Sequence, residues 1–186
     1  MNVHPSAPTD PDAFLRWNLG REGKRELVNG KIVENMIRVT RQHARLVVDL
    51  MMALRAALDR TQFDVFMVDF GMKTPAGVRY PDLVVDVAGG APTDLAVTAP
   101  VLVCEVLSPS SITTDTVEKA GEYTAVSTVQ AYLVLAQDEP RVWLWSRGAE
   151  GWSGPTIIEG PDGLINIEAL SVTLRLETIY EPSASD

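Results

Sequence analysis

The sequence predicts a mixed α/β or α+β domain built on one central β-sheet. Three observations lead there. Val101 to Leu107 is apolar at every position except Glu105, the mark of a strand buried on both faces. Several other stretches of strand length are apolar or alternating and are bounded by Gly, Pro or Asn. Two substantial segments have the apolar spacing or polar pattern of helices, and helices of that kind pack on a sheet. The chain has 186 residues, 46% of them apolar, which is the size of one ordinary domain and enough to bury a core. Residues 1–186 therefore read as one domain with a core at about 25–147 and loose termini at 1–10 and 181–186.

Taken in order, Thr9 or Asp10 can cap a short helix with Pro11 in its first turn. Phe14, Leu15 and Trp17 are its apolar residues, and Gly20 ends it. Arg25–Val28 and Lys31–Met36 form a hairpin, because Asn29-Gly30 supplies the two positive-φ positions of a type I′ turn. Thr40 caps the longest helix, at about 41–59. Leu46, Val47, Leu50, Met51, Leu54 and Leu58 mark its buried face, and His43 lies in its first turn. Gln62–Phe70 is a strand candidate, followed by a turn at Pro75-Ala76-Gly77. Tyr80–Val87 and Val101–Leu107 are the next strands, and a helix follows at about Asp115–Ala125. Val129–Ala136 and Arg141–Ser146 form a hairpin. Trp152–Ile158, Leu164–Ile167 and Val172–Leu176 add short strands.

Composition removes several classes. The formal net charge is -9, which argues against a general nucleic-acid coat protein with a basic face; it leaves room for a nuclease with a local basic groove. Cys104 is the only cysteine, so neither an internal disulfide nor a Cys/His zinc cluster can form, and it reads as a small core residue. No apolar run is long enough to span a bilayer, and residues 1–11 carry no apolar signal core. The expected setting is soluble, reducing and cytoplasmic.

The chemistry concentrates between Tyr80 and Tyr123. Glu105 is a charged group inside a core strand, costly unless it is paired or binds a metal. Pro81 keeps Asp82 out of a central ladder and puts it near a strand start. Carried on one face of neighbouring strands, the two acids make a hard-oxygen site suited to Mg2+ or Mn2+. Taken singly, Asp82 would cap a turn and Glu105 would pair with an arginine. Lys119 lies four residues from both Asp115 and Tyr123, so the three share a helical face. Its bland role is a surface pair with Asp115; its functional role is to orient water or stabilise a transition state. Tyr123 would pack or bond beside it. Asp86 shares strand parity with Asp82, though a solvated strand end is the simpler reading. Glu26, Glu34 and His43 could reach the site from the hairpin and the long helix, with hairpin surface and local capping as their defaults. Trp143 and Trp145 alternate as sheet-packing residues. Ser108-Pro109-Ser110 reads as a strand-to-helix turn with capping hydroxyls.

These residues carry a family resemblance. Tyr80-Pro81-Asp82-Leu83-Val84-Val85, Val103-Cys104-Glu105-Val106-Leu107-Ser108-Pro109-Ser110, then Asp115, Lys119, Tyr123 and the strand at Tyr132 resemble the Uma-type restriction endonuclease family of the PD-(D/E)XK nuclease superfamily. Arg25-Glu26-Leu27-Val28-Asn29-Gly30 and the helix bearing His43 fit the same pattern. The family's Gly-Val-x-Glu-Tyr-Trp segment is not reproduced before Leu133. The resemblance implies a central mixed sheet flanked by helices, restriction-endonuclease-like, with an added antiparallel section. It also implies that Asp82 and Glu105 bind a divalent metal. Leu107 stands where the superfamily usually has its lysine, and Lys119 would supply that group from the following helix. The expectation is a Mg2+- or Mn2+-dependent DNA endonuclease with Asp82, Glu105 and Lys119 at its centre. The Val106 carbonyl would be a further metal ligand, and Glu26, His43 and Tyr123 would support the site. The rival expectations are an inactive interaction module on the same scaffold, as a monomer or a homodimer, and a hydrolase of a different phosphate ester.

Overall fold

The computed structural model describes residues 7–35, 39–67, 69–107 and 115–180, with backbone alone for Asn35 and residues 115–118. Helix α1 (Pro11–Asn18) starts under an Asp10 cap that accepts from the Ala13 N–H, with Pro11 in its first turn. Strands β1 (Lys24–Val28) and β2 (Lys31–Asn35) form the hairpin expected from Asn-Gly, with φ of 49° at Asn29 and 73° at Gly30. Helix α2 (Arg41–Ala57) is capped by the Thr40 side chain and buries Leu46, Val47, Leu50 and Leu54. Strand β3 (Phe63–Met67) follows.

The strand expected at Tyr80–Val87 begins only at Leu83, and a separate short hairpin precedes it. Strands β4 (Met72–Thr74) and β5 (Gly77–Arg79) form a short hairpin, and β6 spans Leu83–Val87. Tyr80, Pro81 and Asp82 bridge the two sheets outside either ladder, as a proline without an N–H favours. Strand β7 (Pro100–Leu107) is buried along its whole length. Helix α3 (Asp115–Thr124) leads to β8 (Ala131–Ala136), β9 (Arg141–Gly148) and β10 (Gly151–Glu159). Strands β11 (Leu164–Ile167) and β12 (Val172–Arg175) and helix α4 (Glu177–Tyr180) complete the described chain.

The central sheet has six strands in the order β10-β9-β8-β7-β6-β3. Its β7–β8 pair is parallel and its other pairings are antiparallel, so it is a mixed sheet. A four-stranded antiparallel sheet, β2-β1-β5-β4, is the added section, and β11-β12 form a two-stranded ribbon. Close approach of β1 and β5 requires Gly77: its φ is 148°, and a Cβ there would stand 2.0 Å from the Leu27 carbonyl oxygen.

Strand parity divides the core. Leu102, Cys104, Val106, Leu83 and Val85 face α2 and the C-terminal ribbon in one apolar cluster. Val84, Val103 and Leu107 face the other way, with Ala120 and Tyr123 of α3, and Trp143, Trp145 and Trp152 pack against that cluster. Cys104 is a buried core thiol, and the paired tryptophans cover a sheet face, as their alternation predicts. A third cluster joins α1 to the smaller sheet through Phe14, Leu15, Leu27 and Val78. Among the described residues no helix is long and apolar enough to cross a membrane.

Candidate functional site

Strands β6 and β7 pair antiparallel with Leu83 opposite Cys104 and Val84 opposite Val103. One step back along β6, Asp82 comes opposite Glu105. Glu105 has the parity of Val103 and belongs to the face covered by α3, whereas Asp82 lies just outside the ladder with His43 of α2 beside it. The Val106 N–H donates to Asp82 Oδ2 at 2.8 Å. A strand residue's N–H and C=O leave along the same edge, so the Val106 carbonyl is also directed toward the Asp82 side.

Each acid is held by a residue from a helix. Asp82 Oδ1 lies 3.3 Å from His43 Nε2, which α2 brings from its first turn. Glu105 Oε1 accepts from Lys119 Nζ at 3.0 Å and from the Tyr123 hydroxyl at 2.7 Å, two α3 residues one helical turn apart. Burial raises the Asp82 carboxyl pKa, but the His43 hydrogen bond and charge and the Val106 N–H outweigh it and hold the group below its ordinary value. Glu105 goes the other way. Burial pushes its pKa up and the Asp82 charge adds to this, with Lys119 and Tyr123 offsetting part. Burial alone would lower the Lys119 pKa, yet Glu105, Glu26 and Asp82 together raise it, so the ammonium stays charged. Burial, with the Glu105 charge, lifts the Tyr123 hydroxyl well above its usual range, so it remains a donor.

Glu26 is not on the hairpin surface. It is buried at 4% exposure, accepting from Arg79 Nη1 at 3.0 Å and from the Tyr80 N–H at 3.3 Å. Arg79 also binds Glu122 through Nε at 2.8 Å and Nη2 at 2.5 Å. This Glu26–Arg79–Glu122 bridge ties the smaller sheet to α3. Burial raises the Glu26 pKa, but Lys119, Arg79 and the Tyr80 N–H overcome it and hold the carboxyl below its ordinary value. Sequence reasoning did not single out Arg79 or Glu122. The available signals were the place of Arg79 directly before Tyr80-Pro81-Asp82 and of Glu122 one helical turn after Lys119.

Other expected acids lie elsewhere. Glu34 is exposed and pairs with Arg25 at 2.8 Å, as hairpin surface. Asp86 is neither a site acid nor a solvated strand end. It is buried and accepts from the Thr98 and Ala99 N–H groups at 2.9 and 2.7 Å, anchoring the turn before β7. Ser108-Pro109-Ser110 and the Asp115 side chain lie outside the described residues.

The donor set suits a hard divalent cation. Asp82, Glu105 and the Val106 carbonyl offer oxygen alone, and Mg2+ is commonly bound by one or two carboxylates while it keeps several waters. No group of three or more His, Cys, Asp or Glu side chains is arranged to hold an ion among the described residues, so water would have to complete the shell of any ion held here. A groove of about 560 Å³ opens beside Asp82 and His43, with Tyr80, Pro81 and Lys24 also in its lining.

Known proteins share this architecture. A family model, Uma2, described as "Putative restriction endonuclease", matches residues 11–178. An uncharacterized protein of Synechocystis sp. (strain ATCC 27184 / PCC 6803 / Kazusa), sll1609, is 30% identical over 119 residues, which cover 61% of this chain and 67% of that protein. A crystal structure of a "putative nuclease belonging to DUF820" from Anabaena variabilis ATCC 29413 superposes with a TM-score of 0.69. The match covers 93% of this chain and 98% of that one at 16% identity, a likeness of fold.

Proposed function

The chain belongs to the Uma2 family of restriction-endonuclease-like proteins, and from that premise we propose that it is a divalent-metal-dependent nuclease hydrolysing DNA phosphodiester bonds. One observation carries the reading: Asp82 at the entrance to β6 accepts from the Val106 N–H, next to Glu105 on β7, and an ammonium stands 3.0 Å from Glu105. Asp82, Glu105 and the Val106 carbonyl would hold Mg2+ or Mn2+. The cation, when bound, would neutralise charge on the phosphate and lower the pKa of water.

The residues have separate tasks. His43 and the Val106 N–H orient Asp82, and Tyr123 orients Glu105. Lys119 has N–H donors beyond the one it gives Glu105. It can therefore hydrogen-bond an attacking water and stabilise negative charge on the phosphate oxygens as that charge develops. Glu26 adds a negative charge that favours the protonated Lys119 and, through Arg79, sets the position of α3.

The test is cleavage of supercoiled plasmid DNA with Mg2+, Mn2+ or EDTA, comparing wild type with Asp82→Ala, Glu105→Ala and Lys119→Ala. Metal-dependent nicking lost in the two acid variants supports the reading; activity unchanged in both overturns it. The packing also motivates a second reading, an inactive interaction module, as a monomer or a homodimer. Glu105 is already satisfied by Lys119 and Tyr123, and Asp82 by His43 and Val106. Calorimetric Mg2+ binding that disappears in Glu105→Gln would decide for the nuclease; its absence in wild type would decide for the module.

A further inference from the structure

We propose that the groove beside Asp82 receives an unpaired nucleotide of a single DNA strand, so that the substrate is single-stranded or frayed DNA. This rests on the nuclease reading of the same site and adds the substrate's form. Its volume of about 560 Å³ lies in the range of pockets that take one small organic molecule, such as a single nucleotide. Leu15, Val47, Val48 and Met67 give it an apolar wall, and Tyr80 gives it an aromatic ring. Unpaired bases need such a surface, whereas a duplex presents mainly phosphate and sugar.

The charge fits a strand laid beside Asp82. The chain is acidic overall, yet ten of its sixteen Lys and Arg residues fall in residues 1–60, with only seven of the twenty-five acids. Arg21, Lys24 and Arg25 from that region line the groove, against Asp69 and Asp82. Arg25 is committed to Glu34 and the Glu22 carbonyl. Arg21 is held by its Nε–H bond to the Trp17 carbonyl and by stacking 4.2 Å over the Trp17 ring, and its outer N–H groups make no hydrogen bond among the described residues. Lys24 is half-buried, makes no hydrogen bond or ion pair among the described residues, and is near enough to influence Asp82 electrostatically. A phosphate between Lys24 and Arg21 would satisfy both and present the adjoining ester to Asp82.

The experiment is fluorescence anisotropy of a short labelled DNA strand and of its blunt duplex, in EDTA so that binding is read without cleavage. The strand is expected to bind about tenfold tighter than the duplex. Lys24→Ala should weaken strand binding about fivefold and lower the salt-dependence slope by about 0.7, one phosphate contact on a single strand. Val48→Glu, at an exposed helical position in the wall, should weaken it similarly, with thermal melting unchanged in both variants. Equal or tighter duplex binding, or wild-type binding by both variants, overturns the proposal, as does tighter binding of the matching RNA strand. Strand-selective binding without cleavage in Mg2+ supports the groove and overturns the nuclease reading. Equal binding with cleavage overturns the groove and leaves the nuclease reading standing.

Discussion

Lys119 Nζ lies 3.0 Å from Glu105 Oε1, although the two residues belong to different elements, helix α3 and strand β7. Leu107, two residues after Glu105, shares its sheet face and is buried. The ammonium therefore reaches the glutamate from above the sheet. Replacing Lys119 by Ala should lower metal-dependent nicking about 10²- to 10³-fold, as loss of a charge-stabilising donor does. Lys119→Arg, longer and planar, should recover only part. Initial nicking rates at saturating Mg2+ measure this.

Tyr123 should matter more to stability than to rate. Its hydroxyl is fully buried and donates to a carboxylate, so Tyr123→Phe should cost about 1.5–3 kcal/mol. Urea unfolding checks it. An unchanged midpoint would show that Glu105 finds another donor.

Arg79 is the most exacting position. Its side chain is 11% exposed and serves two carboxylates. Arg79→Met strands both and should cost about 3–5 kcal/mol. Adding Glu26→Gln should recover part, because it removes one uncompensated buried charge. A double-mutant cycle gives the coupling, and strictly additive effects would contradict the bridge.

Glu26 predicts a pH dependence. Its folded carboxyl is held below the ordinary value, so the unfolded chain binds the proton more readily. The stability it contributes is present above the unfolded Glu pKa of about 4.3 and is lost as pH falls through the lower folded value. Glu26→Gln should therefore flatten the acid limb of a stability–pH curve below about pH 4.3 while leaving its slope near neutrality unchanged. Urea midpoints taken across that range measure the effect.

The two site acids were legible because each broke a pattern. Glu105 interrupted an apolar run, and Pro81 fixed Asp82 at a strand entrance. Lys119 was legible from helical spacing together with the family resemblance, since nothing local tells which way an exposed lysine points. The long helix, the Asn-Gly hairpin and the central strands followed from strong periodicity and turn chemistry. The β4–β5 hairpin was not legible, because three-residue strands are too short for alternation to register. The entrance to β6 was placed three residues early, because Tyr80 extends the apolar run in front of Leu83. The burial of Glu26 was hidden for a related reason: the arginine that compensates it lies on β5, fifty-three residues away in the chain.

The parallel pairing of β7 with β8 has a consequence for how such a protein could change. Parallel neighbours cannot be joined by a tight turn; they require a crossover of a dozen residues or more. Here that crossover contains α3, and α3 delivers both Lys119 and Tyr123 to Glu105. The connection demanded by topology is the same segment that completes the cluster around Glu105. A deletion that removed α3 would take away both of these partners of Glu105 together with part of the connection between the two strands.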